Sequence, residues 1–352
     1  MLSDGRIIPR AIEKMSCLAC GSAFHASATA NEDIRTIYEK EYQLAASSPK
    51  SDAARARAYC SWIMGECSAP RKILEIGCGS GALLSEFLRV WPSAHGYGID
   101  PALPGDERSQ DNIRLARGFV EDIPQDAGDF NLIVAVNVIE HTPDPGAFLE
   151  ALRRRLAPNG RIVIICPVAE SPNVELLFFD HLYSLTPNAL RIASETASLA
   201  IKKQALAPRQ IGDFQMIVLD AAGTGISQQN EQSASDLHSK RQSYLHRWRV
   251  LDQVLIDRSK SSSRLVAFGG GQTAALLRAY APRTWARIES IVLDDPSEAW
   301  TLGPPIALYE DAVQDPVGMV LVATSPHVQN AIAERLNREG LLPITWNDIV
   351  PN

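Results

Sequence analysis

The chain has 352 residues, 45% of them hydrophobic and 21% charged, a globular composition with enough apolar side chains for sizeable cores and a length that suits two domains. Its formal charge is −7, from 34 Lys+Arg against 41 Asp+Glu. That argues against a nucleic-acid binder, which gains affinity from clustered cations, and leaves a small anionic substrate open.

No apolar run approaches the ~20 residues of a membrane helix, and the opening MLSDGRIIPR has no signal-like apolar core. Six cysteines over this length make no dense disulfide framework. The expectation is a reducing, cytoplasmic protein with no membrane partner. Residues 1–30 form a leader holding Cys17-Leu-Ala-Cys20 and then His25. Residues 31–67 read as helical: Ile34, Ile37 and Tyr38 share a face, and Ala54, Ala58, Tyr59 and Trp62 continue a similar stripe. Over 68–220 short apolar runs (Lys72–Ile76, Gly96–Ile99, Leu132–Val136, Arg161–Cys166) alternate with helical stretches, as in a parallel sheet covered on both faces. Residues 211–220 read as a further strand, and the Gly/Ser/Gln-rich stretch 221–236 as a linker. Within 221–263 the linker leads into a helix carrying Tyr244, Trp248, Leu251 and Leu255. Residues 264–352 open a second unit, with strands at Leu265, Ile288–Leu293 and Met319–Val322 and a helix from about Val328. The fold class is α/β: a doubly wound, Rossmann-like domain followed by a second, C-terminal Rossmann-like α/β domain.

The sharpest motif is Leu74-Glu75-Ile76-Gly77-Cys78-Gly79-Ser80-Gly81, where a strand ends in spaced glycines before a helix. Glycine lets the backbone turn tightly and lets a ligand lie against the main chain. Alone the motif is ambiguous: Gly77-x-Gly79-x-x-Ala82 also fits a dinucleotide fingerprint, with Asp100 near where its ribose-binding acid belongs. Further motifs follow in order. They are Asp100 after Gly96-Tyr97-Gly98-Ile99, then Phe119-Val120-Glu121-Asp122-Ile123-Pro124, then Asn137-Val138-Ile139-Glu140-His141, then Leu156-Ala157-Pro158-Asn159-Gly160.

This ordered set resembles the class I S-adenosylmethionine-dependent methyltransferases, over roughly residues 71–220. The resemblance implies that Glu75 lies near the methionine amino group and that Gly77, Cys78, Gly79 and Gly81 pass beneath the cofactor. It implies that Asp100 binds the ribose hydroxyls, that Glu121 and Asp122 border the adenine with Asp122 taking its amino group, and that Ile99 and Ile123 sandwich the ring. Asn137 borders the methionine end. A cationic sulfonium also suits a pocket with carboxylates at Glu75, Asp100 and Asp122, and methyl transfer needs alignment and water exclusion above all.

His141 and His181 are the catalytic candidates, each either a general base or a packed, hydrogen-bonded histidine. The segment Phe178-Phe179-Asp180-His181 resembles the Tyr-His-Glu-His segment of bacterial sugar C-methyltransferases, with phenylalanine in place of the tyrosine. Asn173, Glu175 and Tyr183 flank it as candidate substrate contacts. Cys17-x-x-Cys20 reads as one knuckle of a zinc ribbon, with His25 a conceivable third ligand, but tetrahedral zinc needs four ligands and one pair reads as a degenerate site. Enzymes of the sugar group often begin with two such knuckles, and this chain resembles that pattern from after the first. Phe268-Gly269-Gly270-Gly271-Gln272 and Asp294-Asp295 make a second glycine turn, either a phosphate cradle or a packing turn. It resembles the C-terminal domain of the same group.

These residues point to methyl transfer from S-adenosylmethionine to a small polar metabolite held between two α/β domains. Loss of the tyrosine favours O- or N-methylation of a natural-product intermediate over C-methylation of a nucleotide-linked sugar. The reading from another class is a nucleotide-binding scaffold that kept the fold without the chemistry. A nicotinamide oxidoreductase has no recognisable hydride-transfer residues behind it.

Overall fold

The protein is described by a computed structural model covering residues 1–26, 29–40, 42, 49–105, 107–208, 211–221, 234–312 and 318–351. Most of the expected linker, residues 222–233, lies outside these described residues.

The leader makes a hairpin, β1 (Lys14–Ser16) and β2 (Ala23–His25), with Cys17 and Cys20 in its turn. Two helices follow, α1 (Thr29–Lys40) and α2 (Pro49–Met64). On α2 the buried face is Ala56, Tyr59, Cys60 and Ile63, whereas Ala54 and Ala58 border a cleft. The predicted stripe is therefore turned by part of a helical turn, because alanine carries too little apolar surface to mark the core side.

The first α/β unit is an eight-stranded sheet built from β3 (Lys72–Ile76), β4 (His95–Asp100), β5 (Glu107–Gln110), β6 (Ile113–Arg117), β7 (Phe130–Val136), β8 (Leu156–Pro167), β10 (Ala200–Leu206) and β11 (Phe214–Asp220). Its order is β10-β11-β8-β7-β3-β4-β6-β5. Strands β6, β4, β3, β7 and β8 are mutually parallel, and β11 runs antiparallel between β8 and β10. Ile162, Val163, Ile164, Ile165 and Cys166 are wholly buried, since helices cover both faces. Each such aliphatic side chain contributes about 1.5–3 kcal/mol of burial. The helices are α3 (Ala82–Val90), α4 (Pro145–Arg153) and α5 (Pro187–Thr196). Helix α4 starts where it does because Asp144 accepts the Gly146 and Ala147 amides, at 2.9 and 3.0 Å, and Pro145 opens the first turn.

Between β8 and α5 an insertion carries β9 (Tyr183–Ser184), which pairs with β2 and so joins the hairpin to this domain. The second unit begins after the long helix α6 (Ala234–Ser259), whose Tyr244, Trp248, Leu251 and Leu255 are buried. Its elements are β12 (Leu265–Phe268), α7 (Gln272–Tyr280), α8 (Pro282–Trp285), β13 (Ile288–Leu293), β14 (Ile306–Leu308), α9 (Tyr309–Ala312), β15 (Met319–Val322), α10 (Pro326–Arg338) and β16 (Pro343–Ile344). They form an all-parallel sheet of order β14-β13-β12-β15-β16.

Each sheet reverses its winding once, between β3 and β7 in the first and between β12 and β15 in the second. Ligands of doubly wound sheets bind at the carboxyl ends of the strands at such points. Both reversals border one cleft of about 2470 Å³, walled by Gly77, Gly79 and Asn137 on one side and by Gly269–Gly271 and Thr324 on the other.

Candidate functional site

Gly77, Gly79 and Gly81 all have left-handed backbone, with φ of +69°, +51° and +84°. A Cβ on Gly77 would lie 2.5 Å from Val138 Cγ2, and one on Gly81 would lie 2.9 Å from Leu115 Cδ1. One on Gly79 would meet nothing within 4 Å. Packing therefore accounts for the outer two glycines, while Gly79 leaves a cradle open to the cleft.

Asp100 ends β4 and is tied to that loop: Oδ2 accepts the Gly79 amide at 2.9 Å and Oδ1 the Ala102 amide at 2.8 Å. Burial pushes its carboxyl above the usual range, and the two amides oppose the shift. Each oxygen keeps a second lone pair for a ligand hydroxyl. Glu75 lies beneath the loop with Oε2 buried and without a hydrogen-bond partner. Burial raises its pKa well above the ordinary value, the Leu84 amide opposing.

Ile99, Cys78, Glu121 and Asn137 also border the cleft. Asn137 stands at the end of β7 with φ +55°, a conformation asparagine tolerates better than most residues. Asp122 and Ile123 do not border it. Residues Val120–Asp122 form a tight turn that brings Asp122 Oδ2 back onto its own Phe119 amide at 2.8 Å, and Ile123 is buried in the core with Phe148 and Leu149. The wall there is made instead by Phe119, Val120 and Glu121, with the Arg35 guanidinium 4.3 Å from the Phe119 ring centroid. The sequence offered Phe119 as a neighbour of the motif but no sign of which side chain faces inward.

Farther along the cleft His141, in the turn after β7, meets His181 from the insertion, ring centroids 4.7 Å apart and edge to face. His141 Nδ1 is 2.7 Å from the Asp180 carbonyl oxygen, and His181 Nδ1 is 3.4 Å from Glu175 Oε2. A carbonyl oxygen can only accept, so His141 carries its proton on Nδ1; an ionised Glu175 sets the same tautomer on His181, and each Nε2 then presents a lone pair. Burial lowers the pKa of both rings, His181 well below the ordinary histidine value, so both are neutral near pH 7.

Asp180 orients this group. Its carboxylate accepts Ser3 N at 2.8 Å, Ser3 Oγ at 2.5 Å and Tyr38 OH at 3.2 Å. Burial works against ionisation, but the adjoining imidazoles, once protonated in acid, and the Ser3 hydrogen bonds hold the carboxyl below its usual value. Lys14 donates to the His181 carbonyl, and burial lowers its pKa to about 8. Glu175 accepts Ser184 Oγ at 2.9 Å, and its pKa is raised by burial against the pull of Lys14. Ser3 and Tyr38 come from the leader and α1, too far away in sequence for any motif to announce them.

Asn173 borders the cleft, but its side chain is engaged locally, Oδ1 accepting the Glu175 amide at 3.0 Å and Nδ2 donating to the Val168 carbonyl at 3.3 Å. Tyr183 lies off the cleft and donates to the Pro143 carbonyl at 3.1 Å. Cys17 and Cys20 sit in the hairpin turn, where the Cys20 and Ala19 amides lower the Cys17 pKa, as a knuckle would require. Two thiols do not fit tetrahedral zinc, and among the described residues neither belongs to a group of three or more metal-ligating side chains. Gly269 in the second unit has φ +108°, and a Cβ there would lie 2.8 Å from the Ala323 carbonyl oxygen, so close strand packing accounts for it.

Residues 49–210 match a family described as "Methyltransferase domain". A ubiquinone biosynthesis O-methyltransferase of Acinetobacter baylyi is 27% identical over 101 residues, 27% of this chain and 42% of that protein. Its counterpart in Rhodopseudomonas palustris is 34% identical over 106 residues, 28% and 40% of the two chains. The chain thus spans less than half the length of these curated relatives. Among solved structures, mitomycin 7-O-methyltransferase is 15% identical with a TM-score of 0.40, covering 49% of this chain and 54% of that one. Among the described residues no helix is long and apolar enough to cross a membrane.

Proposed function

We propose that the protein transfers a methyl group from S-adenosylmethionine to an oxygen of a small polar metabolite held in the cleft. The observation that carries this reading is the open cradle over Gly79 beside Asp100, on the same cleft as the imidazoles of His141 and His181. The residues present fit the cofactor: Glu75 and Asp100 place carboxyl groups at the cradle, Glu121 borders the same cleft, and the orphaned Glu75 Oε2 leaves acceptor capacity beneath the loop. When bound, S-adenosylmethionine supplies an electrophilic methyl group on a sulfonium. Asp100 would hold hydroxyls, Phe119 and Ile99 would wall a flat ring, and an imidazole Nε2 would take the acceptor's proton. The two relatives described above are both O-methyltransferases, which favours oxygen over nitrogen.

A second reading, C-methylation of a nucleotide-linked sugar, is favoured by the second α/β unit, whose glycine turn borders the same cleft. Calorimetric titration of the full chain with S-adenosylhomocysteine, with NADH in parallel, tests the cofactor. Micromolar binding of the former alone is expected. Binding of NADH instead would overturn the reading, and binding of neither would favour a scaffold.

A further inference from the structure

Glu140, His141 and His181 each offer one ligand atom, and the three atoms lie within 4.8 Å of one another. They are the one such group of His, Cys, Asp and Glu among the described residues, and all three border the cleft. Both oxygens of Glu140 are buried and make no hydrogen bond to any other residue, although the side chain is only 2% exposed. A buried carboxyl group stays ionised only when it is paired or metal-bound. The nearby cations are already engaged: Lys14 with Glu175 and Asp180, and Arg241 with Glu175. Glu140 is the carboxylate left over.

The imidazoles are prepared for the same task. His141 donates Nδ1–H to a carbonyl oxygen and His181 donates Nδ1–H to a carboxylate, and these are the outer bonds that aim the Nε2 lone pair of a metal-ligating histidine. Asp180 and Tyr38 brace the first ring, and Ser184 fixes the Glu175 that holds the second. From these residues we propose that Glu140, His141 and His181 form a divalent-cation site. Two imidazoles and one carboxylate suit a borderline ion such as Zn²⁺, Fe²⁺ or Co²⁺ over Mg²⁺, which prefers oxygen alone. With bonds of about 2.1 Å, two ligand atoms are at most about 4.2 Å apart, so the set closes by small side-chain shifts on binding.

Three protein ligands leave positions open towards the cleft, as in catalytic rather than structural metal sites. The acceptor this selects is a molecule with two adjacent oxygens that chelate the ion. That part of the inference rests on the methyltransferase reading; with the ion bound, the two histidines ligate it in place of the proton-accepting role proposed for them in the metal-free cleft.

The test uses the full chain freed of metal by chelator, titrated with Co²⁺ and read by its visible absorption and by calorimetry. One Co²⁺ per chain is expected, displaced by Zn²⁺. The Glu140→Gln and His181→Gln variants, checked for folding by thermal melting, should each weaken Co²⁺ by at least about tenfold. The Cys17→Ser/Cys20→Ser double variant should bind Co²⁺ as the parent does. Absence of Co²⁺ binding, or binding kept in both site variants and lost in the cysteine double variant, would overturn the proposal. S-adenosylhomocysteine binding to the metal-free protein is scored separately. Its failure would reject the methyltransferase reading and leave the metal site standing.

Discussion

The glycines of the first loop look alike in the sequence and do different work in the structure. Gly77→Ala drives a methyl group onto Val138 Cγ2, at 2.5 Å, besides straining a φ of +69°. Gly79→Ala meets nothing within 4 Å and bears only the left-handed strain at φ +51°, about 1–2 kcal/mol. The alanine methyl at Gly79 would instead stand in the cradle. Gly79→Ala should therefore lower the melting temperature only modestly yet weaken S-adenosylhomocysteine at least about tenfold, the factor that ~1.4 kcal/mol of lost contact produces. Gly77→Ala should lose more in melting temperature than Gly79→Ala. Equal melting losses with unchanged affinity in Gly79→Ala would show that no ligand lies against this turn. Asp100→Ala should cost about 1–3 kcal/mol of cofactor affinity for the lost hydrogen bonds. It should also destabilise the fold, because the same carboxylate holds the Gly79 and Ala102 amides.

Among the elements, what the sequence made legible follows burial. Strands β3, β4, β7, β8, β12 and β15 are covered on both faces and read as apolar runs, and the glycines and Asp100 sit at strand ends that those runs locate. Strand β10 passed unread because it is an edge strand, Ala200–Leu206, in which only Ile201 is buried, with a bulge beside it. Strand β5 is exposed throughout, and the hairpin strands have 3 residues each, too short for a period to show. The histidine cluster was half legible: His141 and His181 each followed a recognisable motif, but their partners Ser3 and Tyr38 are brought in by tertiary packing alone. Helix α6 shows a similar long-range contact. Its Asp252 carboxylate accepts the amides of Arg283 and Thr284, at 3.2 and 2.9 Å, and Thr284 Oγ1 at 2.8 Å, capping α8 from another helix. Asp252→Ala should therefore cost about 2–3 kcal/mol, a cap plus a charge-assisted bond. Urea denaturation checks this, and a midpoint unchanged from the parent would discard the cap. Those donors hold the Asp252 pKa below its ordinary value against the effect of burial. The stabilisation is present above the unfolded-state value, about 3.9, and lost as the pH falls through the folded one.

At the scale of the molecule, the two sheets meet through a seam made by the hairpin, the insertion and α6. Arg241 of α6 donates to the Gly21 carbonyl of the hairpin turn at 2.6 Å and to the Ala169 carbonyl ahead of the insertion at 2.8 Å. His238 lies 3.0 Å from Ser16 Oγ, and Tyr280 donates to the Leu177 carbonyl at 2.5 Å. Leu176, Leu177 and Phe178 of the insertion belong to the same apolar core as Trp248 and Leu251, so the wall bearing His181 is packed on the second unit. His25 lies in this seam, its ring 5.0 Å from that of Phe179, with Nε2 buried and without a hydrogen-bond partner. Burial, and then the charge of Lys14, lower its pKa to about 3. In the unfolded chain the same ring takes a proton near 6.5. Between those values the unfolded state binds more protons than the folded one, so stability falls as the pH drops below 6.5 and is fully present above it. His25→Gln removes that penalty while keeping a polar side chain of similar reach. Denaturant titrations from pH 7.5 to 4.5 should show the parent losing stability faster than His25→Gln on acidification, with a constant difference above about pH 7. Parallel curves across the whole range would mean that the imidazole is as free to protonate in the seam as in water.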